Sequence, residues 1–183
     1  YGALALTTLG LMGAGALFGL YVWASKDLPS ITKISDYRPP QVTTVYARDG
    51  SIMGYFFREK RFLVNLDQMP EHLPLAFLAA EDARFFEHPG IDLKAIARAF
   101  VANMRSGGKP REGGSTITQQ VVKRLLLTPE RSYERKLKEA ILAYQLEKYL
   151  STAQILYIYL NQIYLGNSSY GVEAAARTYF GKH

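Results

Sequence analysis

The hydrophobic pattern divides the chain into three stretches. From Tyr1 to Ser25 the sequence YGALALTTLGLMGAGALFGLYVWAS carries no charged side chain. About 25 residues at about 1.5 Å each can cross a hydrocarbon core about 30 Å thick. A single transmembrane helix is therefore expected over residues 1–25, with Tyr21 and Trp23 at one interface. Residues 26–42 turn polar and contain Pro29, Pro39 and Pro40, as in a juxtamembrane linker. Residues 43–183 then alternate as a globular module does. TTVYA and SIMGYFF flank Asp49-Gly50, a hairpin signal, and from Leu73 onward helical periodicity is punctuated by Pro89-Gly90, Gly107-Gly108, Gly113-Gly114, Thr128-Pro129 and Gly166. The expected fold is mainly α, with a small N-terminal β-hairpin, behind one membrane helix.

Within the module, Asp92 suits the N-cap of LKAIARAFVANM, whose Ile96, Phe100 and Val101 are expected to pack inward. Thr116 and Gln119 match a capping box after Gly113-Gly114. On that helix Thr116, Gln119, Gln120 and Lys123 share one arc, opposite Ile117, Val121 and Leu125. Free N–H groups with a lysine two turns on suit a phosphate, although an ordinary amphipathic helix with a Gly-rich entry accounts for the same pattern. Thr128 with Pro129 reads as the start of the next helix. There Arg131, Arg135, Lys136 and Lys138 surround Glu139, Tyr133, Leu137, Ile141 and Tyr144 form another side, and Leu142, Ala143 and Leu146 continue the stripe of Glu139. A solvated charge run is the plainer account of ERKLKE. Ser151 with Gln154 repeats the capping box, and Tyr157, Tyr159 and Tyr164 read as packing groups.

The segment EDARFFEHPG poses the sharpest question. Continued as a helix, it sets Phe77, Leu78 and Phe85 one turn either side of Glu81, placing the acid on an apolar stripe, where burial would favour its protonated form. Asp82 would point elsewhere, about 100° round. A buried acid satisfied by Arg84 or His88 is the alternative.

Composition narrows the partners. The 183 residues are 48% apolar, enough for one core, and contain no cysteine, so thiolate metal sites and disulfides are excluded. Three histidines, His72, His88 and His183, show no metal-ligand spacing. The net charge of +6 favours an anionic partner, but cations interleaved with acids behind a membrane span do not suit nucleic acid. One acid in an apolar setting and one in a cationic setting suggest divided roles. A base for an acceptor hydroxyl, with cations for a departing diphosphate, is the inventory of sugar transfer from a lipid diphosphate. A glycosidase has less use for clustered cations.

The blocks EDARFFEHPGID, GGSTITQQVVKRLLL, RSYERKLKEAILAYQLEKYLS, ILYIYLNQIYLGN and YGVEAAARTYFGKH, in this order over residues 43–183, resemble the peptidoglycan glycosyltransferases. These are the lysozyme-like modules of class A penicillin-binding proteins and of monofunctional membrane transglycosylases. The resemblance implies a lysozyme-like helical domain that polymerises lipid II with inversion. In it Glu81 is the catalytic base, and its motif companions Asp82, Phe85 and His88 are among the substrate- and diphosphate-binding residues. It implies a substrate cleft and diphosphate site from Ser115, Thr116, Gln119, Gln120, Lys123, Arg135 and Lys136. Glu139 is the assisting glutamate, with a divalent cation, Mg or Mn, as its implied companion and no organic cofactor. The implied partners are lipid II and the growing lipid-linked glycan, bilayer lipids, moenomycin-type inhibitors, a transpeptidase domain in cis and other cell-wall synthesis proteins. The implied location is the outer face of a bacterial cytoplasmic membrane. Tyr157 stands where many members carry Glu, which implies altered local packing, and the family's module continues beyond the point where this sequence ends. The rival readings are a lysozyme-like lytic hydrolase or transglycosylase, and a non-catalytic membrane-anchored binding module.

Overall fold

The computed structural model describes residues 2–35, 38–107, 113–130 and 132–182, with the side chains of residues 2–6, 9, 17, 33 and 35 outside that description. It is mainly helical: α1 spans Gly2–Ser25, α2 Thr32–Ser35, α3 His72–Glu81, α4 Leu93–Arg105, α5 Ile117–Leu126, α6 Tyr133–Tyr149, α7 Thr152–Gln162 and α8 Val172–Phe180. Between α2 and α3 come β1 (Thr43–Tyr46), β2 (Ile52–Phe56) and a 3-10 turn at Leu66–Gln68.

The hairpin forms where Asp49-Gly50 predicts it. The Asp49 carboxylate accepts from the Ser51 amide at 2.9 Å, and Gly50 adopts φ +83. The two strands pair antiparallel from Thr43↔Phe56 to Tyr46↔Ile52, with a bulge after Val45. Local capping sets three helix starts as read: Asp92 accepts from the Ala95 amide, Thr116 from Gln119 and Ser151 from Gln154. The start of α6 differs. Ser132 caps it by accepting from the Arg135 amide at 3.0 Å, so the helix begins after Ser132 rather than at Pro129.

The core is a three-helix layer of α5, α6 and α7, against which Leu78, Phe85 and Val172 pack. Its faces are Ile117, Val121 and Val122; Leu142, Ala143 and Leu146; and Ile155, Tyr159 and Leu160. On α6 the stripe that begins at Glu139 is therefore the core face, while Tyr133 and Tyr144 are exposed. The linker contributes Ile31 and Ile34 to the core, which ties it to the module. Buried Arg61 ties the same region to α7, donating to the Asn161 carbonyl, the Gln162 side chain and the Pro40 carbonyl.

Two expectations change. Ile96, Phe100 and Val101 do not pack inward. Phe100 is 64% exposed, Leu93, Ile96, Val101 and Met104 are exposed beside it, and Ala99 is the buried residue of α4. Periodicity gave α4 one apolar face, but among the described residues that face is left largely exposed. Concerning the membrane, no helix among the described residues is long and apolar enough to cross one. The span expected over residues 1–25 falls partly on residue 1 and the side chains of residues 2–6, 9 and 17, outside the described set.

Candidate active site

The site is built where α3 stops. The Asp82 amide still bonds the Leu78 carbonyl at 2.9 Å, but Asp82 itself lies at φ −159, ψ 72, and turns replace the helix as far as Gly90. Helical spacing therefore ends at Glu81, and the wheel that set Phe85 one turn beyond it does not apply. Phe85 reaches the core by the turn, at 1% exposure. Glu81 is exposed, not lodged among phenyl rings, while Asp82 is 7% exposed and points inward. The expected assignment of the buried acid is thus reversed.

Asp82 occupies the N-terminus of α5. One carboxylate oxygen accepts from the Ile117 amide at 3.0 Å, and the other pairs with His88 Nε2 at 2.9 Å. Because a carboxylate only accepts, it selects the His88 tautomer protonated at Nε2. The neighbouring Gln119 amide is taken by Thr116 Oγ1, and Thr116 Oγ1 donates to the Gly90 carbonyl at 2.7 Å. The helix terminus that seemed open to a phosphate is filled by the protein's own acid and hydroxyl. Asp82, Phe85 and the His88 side chain are largely buried and act as internal supports, with Asp82 also lining the polar cleft beside Glu81. Thr116 and Gln119 are also largely buried in the cap, each keeping an edge on a neighbouring pocket.

Anion-binding potential lies instead in side chains a turn or two away. A pocket of about 140 Å³ is lined by Ser115, Gln119, Gln120, Lys123, Arg135, Lys136 and Glu139, each of them singled out from the sequence. Glu139 is 2% exposed. Arg135 bonds one of its oxygens, Lys136 Nζ the other at 2.9 Å, and Lys136 also donates to Ser115 Oγ at 2.6 Å. The Lys136 ammonium is pushed below the ordinary lysine value, first by burial and then by the charges of Lys123 and Arg135. Three cations crowd one carboxylate, and an added dianion would relieve their repulsion.

Gln120 connects this pocket to Glu81, its Nε2 donating to Glu81 Oε2 at 2.8 Å. On the other side of Glu81 lies a polar cleft of about 340 Å³, walled by Arg84, Asp92, Arg98 and the Gly113–Thr116 backbone. Arg84 bonds both oxygens of Asp92, so this side is close to neutral. Beneath Glu81, the phenol of Tyr159 is held far above the ordinary tyrosine value, first by burial and then by the Glu81 charge. Its hydroxyl has no partner among the described residues, nor has His88 Nδ1.

A divalent cation at Glu139 finds a poor donor set, since both carboxylate oxygens already face cations. Asp82, His88 and Asp92 also approach one another closely enough to share an ion, but Arg84 neutralises Asp92 and the Ile117 amide claims Asp82. Sequence reasoning missed Glu147, whose carboxylate accepts from Thr118 Oγ1 at 2.7 Å beneath the first turn of α5. No local spacing signals this pair, which is 29 residues apart.

A model of the family described as Transglycosylase matches residues 49–183. Among curated proteins, the chain is 50% identical over 158 residues to penicillin-binding protein 1A of Aquifex aeolicus (strain VF5), covering 86% of this chain and 22% of that protein. It is 43% identical over 183 residues to penicillin-binding protein 1A of Neisseria flavescens, covering 97% and 23%. To penicillin-binding protein 1A of Escherichia coli (strain K12) it is 43% identical over 172 residues, covering 94% and 20%. The chain thus spans about a fifth of the length of these relatives.

Proposed function

The chain belongs to the transglycosylase family, as the module of class A penicillin-binding proteins, and we propose that it polymerises lipid II into peptidoglycan glycan strands. Glu81 takes the proton from the acceptor sugar's hydroxyl as that oxygen attacks the donor sugar. Lys123, Arg135 and Lys136 stabilise the lipid diphosphate as it departs. Glu139 keeps Arg135 and Lys136 gathered, and Gln120 orients Glu81 between acceptor and donor. One observation carries this reading: an acid open to a polar cleft stands one amide away from a pocket of three crowded cations. Both Glu139 oxygens are engaged by Arg135 and Lys136, so the charge of the departing diphosphate falls to these cations and Lys123.

The lysozyme-like hydrolase is the weaker reading. A glycosidase acid sits in an apolar pocket, whereas Glu81 is exposed and bonded by the Gln120 amide. For a membrane-anchored binding module, Glu81 would be dispensable.

Membrane attachment is part of the proposal. Residues 1–25 carry no charge, which supports anchoring of the module at the outer face of a bacterial cytoplasmic membrane. The exposed Leu93, Phe100 and Met104 of α4 suit contact with the same bilayer. A lysozyme-like lineage of the domain, moenomycin-type inhibition, a transpeptidase domain in cis and contacts with other cell-wall synthesis proteins belong to the same reading. The relatives' name, penicillin-binding protein 1A, supports the transpeptidase.

The experiment is conversion of fluorescent lipid II by the full-length protein and by Glu81→Gln. The substitution should reduce kcat about 10²–10⁴-fold while leaving phosphoglycolipid binding intact. Polymerisation by Glu81→Gln at the wild-type rate would refute the base assignment, and cleavage of finished glycan without polymerisation would favour the hydrolase.

A further inference from the structure

The first turn of α5 is where the site is assembled. It presents the Ile117 amide to Asp82, the Gln120 side chain to Glu81 and the Thr116 hydroxyl to the Gly90 carbonyl. All three bonds run toward the 81–90 segment. From the opposite side, α6 sends Glu147 to Thr118 Oγ1 at 2.7 Å. Thr118 is fully buried, and two residues along a helix lie about 200° apart, so Thr118 and Gln120 project from opposite faces of the same turn. A grip on one face fixes the rotation of the other.

Glu147 also touches the far end of the 81–90 segment. A Cβ built on Gly90 would lie 3.0 Å from Glu147 Cγ and 2.6 Å from the Ala143 carbonyl oxygen, so α6, Gly90 and Glu147 are in direct apposition. One side chain therefore braces both α5 and the turn that carries Asp82 and His88. An acid is a poor choice here for stability alone. Burial pushes its carboxyl above the ordinary value, the Thr118 hydroxyl and the nearby His88 offset this in part, and the Asp82 charge adds to it. An apolar side chain would fill the space without that penalty, but it could not hold Thr118 in a defined direction.

We propose that Glu147 is a positioning residue for Glu81, fixing the rotation of the first turn of α5 through Thr118 so that Gln120 meets Glu81 and the Ile117 amide meets Asp82. The inference rests on Glu81 acting as the base. Displacing a reacting group by about 1 Å can lower turnover about 10²-fold, so a loose turn should appear in kcat rather than in substrate affinity.

The test uses the full-length protein and fluorescent lipid II, with Glu147→Ala, Thr118→Val, Glu147→Gln and Glu81→Gln. Glu147→Ala and Thr118→Val should each lower kcat about 10–100-fold with KM nearly unchanged. Glu147→Gln keeps an oxygen for Thr118 and should recover most of the rate. Wild-type kcat in Thr118→Val and Glu147→Ala, alongside an inactive Glu81→Gln, would overturn the positioning role and leave the base standing. Glu147→Gln as impaired as Glu147→Ala would overturn the hydrogen-bond account. Full activity in Glu81→Gln would remove the premise itself. Should Glu147→Ala fail to fold, Thr118→Val decides alone, since it exchanges one oxygen for a methyl group in an otherwise unchanged turn.

Discussion

Replacing Asp82 by Asn separates an internal support from a substrate contact with the smallest chemical change available. In the wild type both carboxylate oxygens accept, one from the Ile117 amide at 3.0 Å and one from His88 Nε2 at 2.9 Å, in a side chain 7% exposed. Asparagine has one carbonyl oxygen: turned toward His88, it leaves the Ile117 amide facing an NH2 group, and turned toward Ile117, its NH2 group is accepted by His88 Nε2 only if the ring proton moves to the buried Nδ1, which has no acceptor among the described residues, so in either orientation one buried donor is stranded. Leaving a buried donor unsatisfied costs about 1–3 kcal/mol, and the surviving bond loses about 1 kcal/mol of charge assistance. The sum is about 2–4 kcal/mol. For a module of this size each kcal/mol shifts the melting temperature about 2–4 °C, so Asp82→Asn should melt about 4–16 °C lower. The first turn of α5 would also lose one of its ties to the 81–90 segment, and kcat should fall up to about 10²-fold with KM nearly constant. Thermal unfolding followed by circular dichroism, together with steady-state polymerisation of fluorescent lipid II, measures both quantities. A variant that melts within about 1 °C of the wild type would refute the hydrogen-bond arithmetic. A raised KM with kcat intact would show that Asp82 meets substrate, as its motif position had implied.

Three further expectations follow from the same geometry. Gly90→Ala combines a φ of +83, at about 1–2 kcal/mol for an L residue, with a Cβ 2.6 Å from the Ala143 carbonyl oxygen; it should destabilise by about 2–5 kcal/mol, and urea unfolding within about 0.5 kcal/mol of wild type would contradict it. Glu147 binds its proton more tightly folded than unfolded, through burial first, with Asp82, His88 and Thr118 facing it, so its contribution to stability falls as pH rises from the ordinary carboxylate value through the raised one. Glu147→Gln should lack that component, which unfolding midpoints between about pH 4 and about pH 7 would reveal as a smaller pH dependence. Diphosphate in the Lys136 pocket should raise the lowered affinity of Lys136 for its proton, so binding on the alkaline side takes up protons. Calorimetry in buffers of different ionisation enthalpy measures this uptake, and its persistence in Lys136→Met would point to another group.

What the amino-acid order determined by itself is the set of features that act within about one helical turn. Asp92, Thr116 and Ser151 cap their helices by bonds to residues three positions on, Asp49-Gly50 turns the hairpin, and Arg135 and Lys136 reach Glu139 from four and three positions away. These interactions close before the chain folds back on itself, so spacing alone discloses them. The tertiary structure decided the rest. It ended α3 at Glu81 and so turned Asp82 rather than Glu81 inward, filled the N-terminus of α5 with an acid 35 residues away, left the apolar side chains of α4 exposed among the described residues and set Glu147 under Thr118. Burial and long-range hydrogen bonds depend on which segments meet in space. A helical wheel, which knows the direction of a side chain but not what lies opposite it, could name the acids of this site without telling which of them faces water.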